Sequence, residues 1–183
     1  MKGNHQQSSV LSALSTEHLV PLASVDDIFS DFTGKKKPFI RYLVDDKNID
    51  GKKIASILSN KFGYPYIQLA NFDTTLVPEG VRNEKLIQKH NALPLFLRGK
   101  VLFVAMSDPT NLDALEEIQF NTGFSTELVL TDEHGLQACI EKVLEDESDA
   151  LDITDIDSEE LSGLEVQEDK KEDDAGTGED DAP

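Results

Sequence analysis

The sequence predicts an α+β fold: a bundle of short helices, then a small β-sheet packed by helices, then a disordered acidic tail. Three observations support this. Apolar residues recur at helical spacing up to residue 62, the apolar period changes to that of strands from Tyr64, and periodicity ends after Leu144. We therefore expect a helical subdomain at 1–62, an α/β subdomain at 63–144 and a flexible linker at 145–183.

The first two helices of the bundle are predicted to be short. Residues 1 to about 8 are polar and are expected to be loose. A helix then buries Val10, Leu11 and Leu14. Ser24 opens a capping-box sequence, with Asp27 in the place of the usual Glu, before the apolar face of a second helix.

Two further helices complete this half. The third is expected to begin at Phe39. Asp50 is placed to cap the fourth, in which Ile54 and Leu58 share one face, and Gly63 is placed to end it. Such narrow apolar stripes cannot be buried alone, so these helices must pack on one another or on the sheet.

The stretch 93–123, LPLFLRGKVLFVAMSDPTNLDALEEIQFNTG, predicts a hairpin followed by a helix. Two apolar runs flank Arg98-Gly99, and the second run is apolar on both faces, which is typical of a strand covered on both sides. Thr110 or Asn111 is placed to cap the helix, with Leu112 on its apolar stripe, and Gly123 is placed to end it.

Around this stretch we expect four more elements. Residues 66–69 predict a short strand, and Pro78 is placed to start a helix. Residues 126–130 alternate between apolar and polar, which indicates a strand with one wet face. Asp132 is placed to cap a last helix with the clearest amphipathic stripe in the chain, formed by Leu136, Cys139, Ile140, Val143 and Leu144.

Charge is concentrated at the end of the chain. The net charge is −19, and 18 of the 36 acidic residues lie at 145–183, where Lys170 and Lys171 are the basic residues. Such a tail repels nucleic acid and anionic membranes, so we expect neither as a partner. No apolar run approaches the roughly 20 residues of a membrane helix, and the single Cys139 favours a reducing, cytoplasmic location.

No catalytic, cofactor-binding or metal-binding residue is predicted in this segment. Gly-Lys pairs at Gly34, Gly51 and Gly99 lack both the earlier glycine and the following Ser or Thr of a P-loop. The four histidines are far apart, and Cys139 is expected to be a buried structural thiol. Two interpretations remain: a binding or regulatory module, or part of an enzyme whose chemistry lies outside this segment.

The helical half is locally basic, with Lys35, Lys36, Lys37, Arg41, Lys47, Lys52 and Lys53. One interpretation is a solvated loop and helix face. The other is a surface for an anionic partner, or for the acidic tail folding back.

The central stretch resembles the N-terminal domain of type IV pilus assembly ATPases, the extension motors related to type II secretion ATPases and their MshEN domains. The residues that carry the resemblance are Glu84–His90, Ala92–Phe96, Arg98-Gly99, Leu102–Ala105, Ser107–Asn111, Ile118–Gly123 and the turn Phe62–Pro65. The resemblance covers residues from about 39 to 144.

This resemblance implies a function for the whole protein. In such motors an acidic linker leads to a hexameric ATPase core, and residues 178–183 resemble that junction. The full-length protein is then expected to bind ATP and Mg and to power pilus extension and twitching motility. This segment would not be an enzyme. It would dock a PilZ-type adaptor or inner-membrane assembly proteins, and be peripheral to the inner membrane through them.

Some related domains bind cyclic di-GMP through a motif of the form LGxxLVxxGxIxxxxLxxxLxxQ. Aligned with residues 39–61, this chain has Ile40 and Lys47 where the motif has Gly, and Lys61 where it has Gln. A side chain in place of glycine blocks close backbone approach. We expect the helical fold to be kept and cyclic di-GMP not to bind.

The candidate partner-binding residues are Phe29, Phe32, Phe39 and Tyr42 of the helical half. Core packing is the alternative for each, and the Tyr42 hydroxyl would also tolerate the rim of an interface. Three hypotheses remain: a regulatory docking domain of a pilus motor, a cyclic di-GMP receptor domain of the same architecture, and a free-standing acidic adaptor.

Overall fold

The computed structural model describes residues 2–145, so the predicted tail lies almost wholly outside the described residues. The helices are α1 (Lys2–Thr16), α2 (Val25–Phe32), α3 (Phe39–Asp45), α4 (Gly51–Phe62), α5 (Glu84–His90), α6 (Leu112–Thr122) and α7 (residues 133–145). The strands are β1 (Ala92–Arg98), β2 (Val101–Met106) and β3 (Ser125–Leu130). Three short 3-10 helices lie at Leu22–Ser24, Thr74–Leu76 and Glu79–Val81. The predicted α+β class is confirmed.

Helices α1 to α4 share one apolar core, which includes Leu11, Leu14, Leu43 and Leu58. Leu130 of β3 belongs to the same core, so the helical layer packs directly on the edge of the sheet. The described residues form part of one compact unit, and the subdomain boundary near residue 62 stays a prediction.

The start of the chain differs from the prediction. Helix α1 begins at Lys2, well before the expected start near Ser9. The Gln6 amide donates to the Thr110 carbonyl at 3.0 Å, and the Ser9 hydroxyl donates to the His5 carbonyl at 3.0 Å. The polar first turns are therefore tied to the loop after β2, a long-range contact that local composition does not reveal.

The caps of α2 and α4 also differ from each other. Ser24 makes no side-chain capping bond, because it ends a 3-10 helix that runs straight into α2 and is itself helical. The Asp50 carboxylate accepts from the backbone N–H groups of Lys52 and Lys53, as predicted for α4. Gly63 ends α4 with a φ of +78°, a left-handed conformation that glycine adopts without strain.

The three strands form one sheet in the order β1-β2-β3. Strand β2 is antiparallel to β1 and parallel to β3, with Val104 opposite both Pro94 and Leu128. The predicted hairpin and the covered central strand are confirmed. The strand predicted at 66–69 is reduced to a single bridge between Tyr66 and Leu130, because pairing stops after Ile67 donates to the Leu130 carbonyl.

Two helices cover the two faces of the sheet. Ala114 and Ile118 of α6 pack with Leu102 and Val104, whereas α7 packs on the opposite face. The stripe of α7 is buried as predicted at Leu136, Cys139, Ile140 and Val143. Asp132 caps α7 by accepting from the Gly135 N–H at 2.9 Å.

Two other predicted helix starts are wrong in detail. Pro78 opens only the 3-10 helix, and α5 begins after Asn83, whose side chain accepts from the Leu86 N–H. Asn111 precedes α6 without a side-chain bond, and Leu112 is half exposed rather than on the buried stripe. No helix in the described range is long and apolar enough to cross a bilayer.

Candidate functional site

Three of the four predicted partner-binding residues form one aromatic cluster. The ring centroids of Phe32 and Phe39 are 4.9 Å apart, and those of Phe32 and Tyr42 are 5.2 Å apart. Tyr42 is 0% exposed and its hydroxyl donates to the Ile28 carbonyl at 3.5 Å. Phe39 and Tyr42 are both buried in the core, which is the alternative that the sequence left open for each, and partner binding by them stays a prediction.

Phe32 and Phe29 remain partly accessible. Phe32 forms the outer ring of the cluster, and Phe29 lines a separate shallow depression with His5 and Thr33. Partner binding by these two residues stays a prediction.

The basic residues near the cluster are already paired. Lys35 Nζ lies 4.8 Å from the Tyr42 ring centroid and 2.5 Å from an Asp46 carboxylate oxygen. Lys47 Nζ lies 2.5 Å from an Asp31 carboxylate oxygen. The hydrogen bond to Asp46 raises the pKa of Lys35, and the bond from Lys35 lowers the pKa of Asp46. These ion pairs leave less of the basic surface free for an anionic partner.

A cleft of about 370 Å³ opens beside the aromatic cluster. Its walls come from α1, the loop between α2 and α3, and the end of α5, and its floor comes from the end of β2. The lining residues are Gln6, Gln7, Phe32, Lys36, Lys37, Pro38, Phe39, Lys89, His90, Asn91, Met106, Ser107, Asp108 and Asn111. We take this cleft as the candidate functional site, because it joins the helical layer to the sheet.

The floor of the cleft carries a half-buried carboxyl group, Asp108. It accepts from the Thr110 N–H at 2.9 Å and from the Thr110 hydroxyl at 2.6 Å. Burial raises the pKa of the Asp108 carboxyl, the two bonds from Thr110 oppose that rise, and the charge of Glu133 adds to it.

Beneath the floor lies a polar cluster around Glu133, whose side chain is 0% exposed, with the Arg41 side chain at its partly exposed edge. Arg41 Nε donates to Glu133 at 2.8 Å, and Ser107 Oγ donates to it at 2.5 Å. The Asn91 amide donates to both Glu133 oxygens at 3.1 and 3.0 Å, and accepts from Arg41 Nη2 at 2.9 Å and from the Gln137 amide. This Glu133 cluster joins α3 and α7 to the turn between α5 and β1 and to the residue that follows β2.

The Glu133 cluster depends on an unusual backbone position. Asn91 has a φ of +51° and occupies the left-handed C-cap of α5, a conformation that Asn tolerates better than most residues. This geometry ends α5 and turns the Asn91 side chain inward in the same step. Neither Asn91 nor Glu133 is predicted from the sequence, although an Asn between a helix pattern and a strand pattern indicates a left-handed helix end.

Most of the basic residues at the rim of the cleft are paired with carboxylates, and one is not. Lys89 Nζ and His90 Nε2 lie 2.7 and 2.6 Å from one Glu117 oxygen, and the hydrogen bond from Lys89 lowers the pKa of Glu117. Lys37 pairs with Asp46. Lys36 is exposed and makes no ion pair with any residue in 2–145. It is therefore the cation best placed to meet a ligand at this cleft.

The Glu133 carboxylate and the Asn91 amide beneath the cleft are bonded to each other, and residues 2–145 contain no cluster of three potential metal-ligating side chains. At the positions that depart from the cyclic di-GMP motif, Ile40 is buried in the helical core and Lys47 is held by Asp31.

Comparisons with known proteins agree with this architecture. Residues 62–150 match the MshEN domain family. The chain is 35% identical over 150 residues to the type IV pilus assembly ATPase PilB of Pseudomonas aeruginosa, covering 81% of this chain and 26% of that protein. It is 39% identical over 102 residues to PilB of Acinetobacter baylyi, covering 56% and 18%. The chain thus spans about a quarter or less of these relatives.

Two solved structures share the fold. One is described as MshE with cdg, with a TM-score of 0.57 and 21% identity, covering 73% of this chain and 97% of that one. The other is the N-terminal domain of XpsE, with a TM-score of 0.60 and 14% identity, covering 74% and 94%.

Proposed function

We propose that this chain is a regulatory and docking domain from the N-terminal region of a type II or type IV secretion ATPase that drives pilus extension. The MshEN match, the similarity to PilB and the fold shared with the N-terminal domain of XpsE support the proposal. The motor's ATPase activity, with its ATP and Mg, belongs to another part of the full-length protein. This domain contributes no catalytic group of its own.

The observation that carries the proposal is the cleft between the helical layer and the sheet. Phe32 supplies an accessible aromatic wall, Lys36 supplies an unpaired charge, and the Glu133 cluster holds the floor in place. An aromatic anchor beside a charge is a common arrangement for protein recognition. We propose that the cleft receives a PilZ-type adaptor or an inner-membrane assembly protein, which would place the motor at the membrane from the cytoplasmic side.

A titration of the 183-residue chain with a purified PilZ-type adaptor tests this proposal. Phe32→Ala should weaken binding by about tenfold or more, because it removes the aromatic wall. Phe124→Ala is the matched control, since Phe124 is also half-buried but lies at the end of α6. Lys36→Ala should weaken binding severalfold, and Lys61→Ala, at another exposed lysine, should not.

The proposal fails if the two phenylalanine variants bind alike while both remain folded. A chain that binds neither a PilZ-type adaptor nor an inner-membrane assembly protein would also overturn it. Circular dichroism of each variant separates loss of binding from loss of fold.

Cyclic di-GMP is the second candidate ligand. The fold is shared with a structure of MshE with cdg, and aromatic rings beside lysines suit a nucleotide. Ile40, Lys47 and Lys61 nevertheless stand where the motif has Gly, Gly and Gln, so we propose that this chain does not take it. Calorimetry on the full chain should give no micromolar isotherm, and a micromolar isotherm would replace the docking proposal with a receptor function.

The third hypothesis, a free-standing acidic adaptor, is tested by reading the coding sequence beyond Pro183. A P-loop further along the same reading frame supports the motor, and a stop codon supports the adaptor.

A further inference from the structure

Helix α6 presents an aromatic side chain that the fold does not use. The chain has nine phenylalanines, and eight of them are buried or half-buried. Phe120 is 89% exposed. Leu112, two turns earlier on the same outward side, is 48% exposed. Single exposed apolar residues are ordinary, but two on one helix side form a candidate contact surface.

The residues around Phe120 are acidic. Asp113 and Glu116 are exposed and make no ion pair with any residue between 2 and 145. We call Leu112, Asp113, Glu116 and Phe120 the α6 patch. Its chemistry predicts a partner surface with an apolar pocket and a basic rim.

The chain itself carries such a surface beside α7. A groove of about 280 Å³ is lined by Leu69, Phe72 and Ala138, with Lys52 and Lys142 among its lining residues. Both lysines are exposed, and neither forms an ion pair within the described part of the chain. We call this the α7 groove.

The other charged residues of the α7 groove are already engaged. The Asp132 carboxylate accepts from the Gly135 N–H at 2.9 Å as the cap of α7. His134 Nε2 lies 3.5 Å from an Asp45 oxygen. Lys52 and Lys142 therefore supply the free charge of the groove, and that charge is positive.

The two surfaces lie on opposite sides of the sheet. Helix α6 packs with Leu102 and Val104, whereas α7 packs with Leu93, Leu95 and Ala105 on the other face. A contact between patch and groove cannot therefore form within one copy. It can form between copies that follow one another in the same orientation.

We propose that the α6 patch of one copy docks into the α7 groove of a second copy. The Phe120 ring enters among Leu69, Phe72 and Ala138, and Glu116 and Asp113 face the two lysines. An enclosed cavity of about 150 Å³ accepts benzene, so the groove has room for a phenyl ring. Charge complementarity then fixes the orientation of the contact.

The contact is head-to-tail, since each copy offers one patch and one groove. Such contacts close into a ring when the rotation between copies permits, and otherwise extend as a filament. None of its residues lines the cleft proposed for partner docking. Failure of this contact is therefore distinguishable from failure of the proposed function.

Sedimentation equilibrium of the 183-residue chain tests the proposal with two single-surface variants. The wild type should show concentration-dependent association below about 1 mM. Phe120→Ala removes the aromatic ring of the α6 patch. Lys52→Glu with Lys142→Glu reverses the charge of the α7 groove. Each variant alone should lower the association constant about tenfold or more.

The decisive sample is the mixture of the two variants. Each retains the surface that the other lacks, so the mixture should form a one-to-one dimer and nothing larger. Lys61→Glu with Lys85→Glu is the control, because it makes the same charge change at two exposed lysines outside the groove. It should associate like the wild type.

Three results would overturn the proposal. The wild type could stay monomeric at about 1 mM. Either single-surface variant could associate as strongly as the wild type. The mixture could remain monomeric although both variants are folded, which would indicate a different interface.

Discussion

The Glu133 cluster beneath the cleft floor and the exposed ion pairs around Tyr42 are each built around a carboxylate, but the loss of that carboxylate is expected to have opposite consequences in the two regions. Glu133 is fully enclosed and receives bonds from Arg41, Asn91 and Ser107. Asp46, at the surface, receives bonds from Lys35 and Lys37 that water can replace. Removing one residue of the Glu133 cluster leaves buried polar groups without hydrogen-bond partners. Removing one residue of an exposed ion pair lets water hydrate the other. Burial, rather than the number of bonds, separates the two.

The same contrast appears at two positions that have the same Asp-to-Thr hydrogen bonds. Asp73 accepts from the Thr75 N–H at 3.0 Å and its hydroxyl at 2.7 Å, just as Asp108 does from Thr110. The bonds from Thr75 lower the pKa of exposed Asp73, whereas burial raises the pKa of Asp108. Because the two carboxylates accept the same hydrogen bonds, the opposite directions of their pKa shifts follow from burial at the cleft floor.

The largest loss of stability is expected from Glu133→Ala. It leaves Arg41, Asn91 and Ser107 without their shared acceptor and should lower the free energy of unfolding by about 3 kcal/mol or more. Denaturant unfolding measures the change. Asp46→Ala is the surface control and should have little effect. Equal losses of stability in the two variants would show that burial does not distinguish Glu133 from Asp46.

A smaller effect is expected at the helix caps. Asp50→Ala removes the acceptor for two N–H groups at the start of α4 and should cost about 1 kcal/mol. Asn111→Ala, at the start of α6, should cost little, because that side chain makes no capping bond. These two variants test whether an exposed side chain contributes to stability only when it makes a capping hydrogen bond. Equal losses by thermal unfolding would contradict the observed caps.

The smallest change in stability is expected from Asp108→Asn, and this change depends on pH. Folding raises the pKa of the Asp108 carboxyl above its unfolded value of about 3.9. When the pH lies between these two pKa values, Asp108 is more fully protonated in the folded state than in the unfolded state. Wild-type stability therefore falls as pH rises through this window, and the amide removes that penalty. The variant should gain stability relative to wild type between acid and neutral pH.

Asp73→Asn is the matched control with the opposite sign. Its pKa is lowered on folding, so the carboxylate contributes stability at neutral pH that is lost as pH falls through the folded value. The amide should therefore be less stable than wild type at neutral pH, with the difference vanishing in acid. If both variants shift in the same direction, burial does not control the cleft floor.

Much of the fold was accessible from the sequence because its signals are local. The hairpin, the Asp50 cap, the Gly63 stop and the stripe of α7 each depend on residues within a few positions of one another. The site was less accessible. The partners of Glu133 come from positions 41, 91 and 107, and no local pattern links them.

The aromatic candidates illustrate the same limit. Phe32 and Tyr42 are both aromatic candidates in the sequence, yet Tyr42 is fully enclosed in the helical core whereas Phe32 stays half-buried. Conversely, the helical spacing of α6 did not indicate that Phe120 points to solvent. Which side of a short helix is covered depends on distant elements rather than on its own pattern.

Hydrogen exchange of the 183-residue chain with and without a bound PilZ-type adaptor tests the docking function most directly. We expect slower exchange at residues 32–38, 89–91 and 106–111, which form the walls and floor of the cleft. Exchange at the α7 groove should not change. Protection confined to other surfaces, or no protection at saturating adaptor, would contradict the claim that this cleft is the docking site.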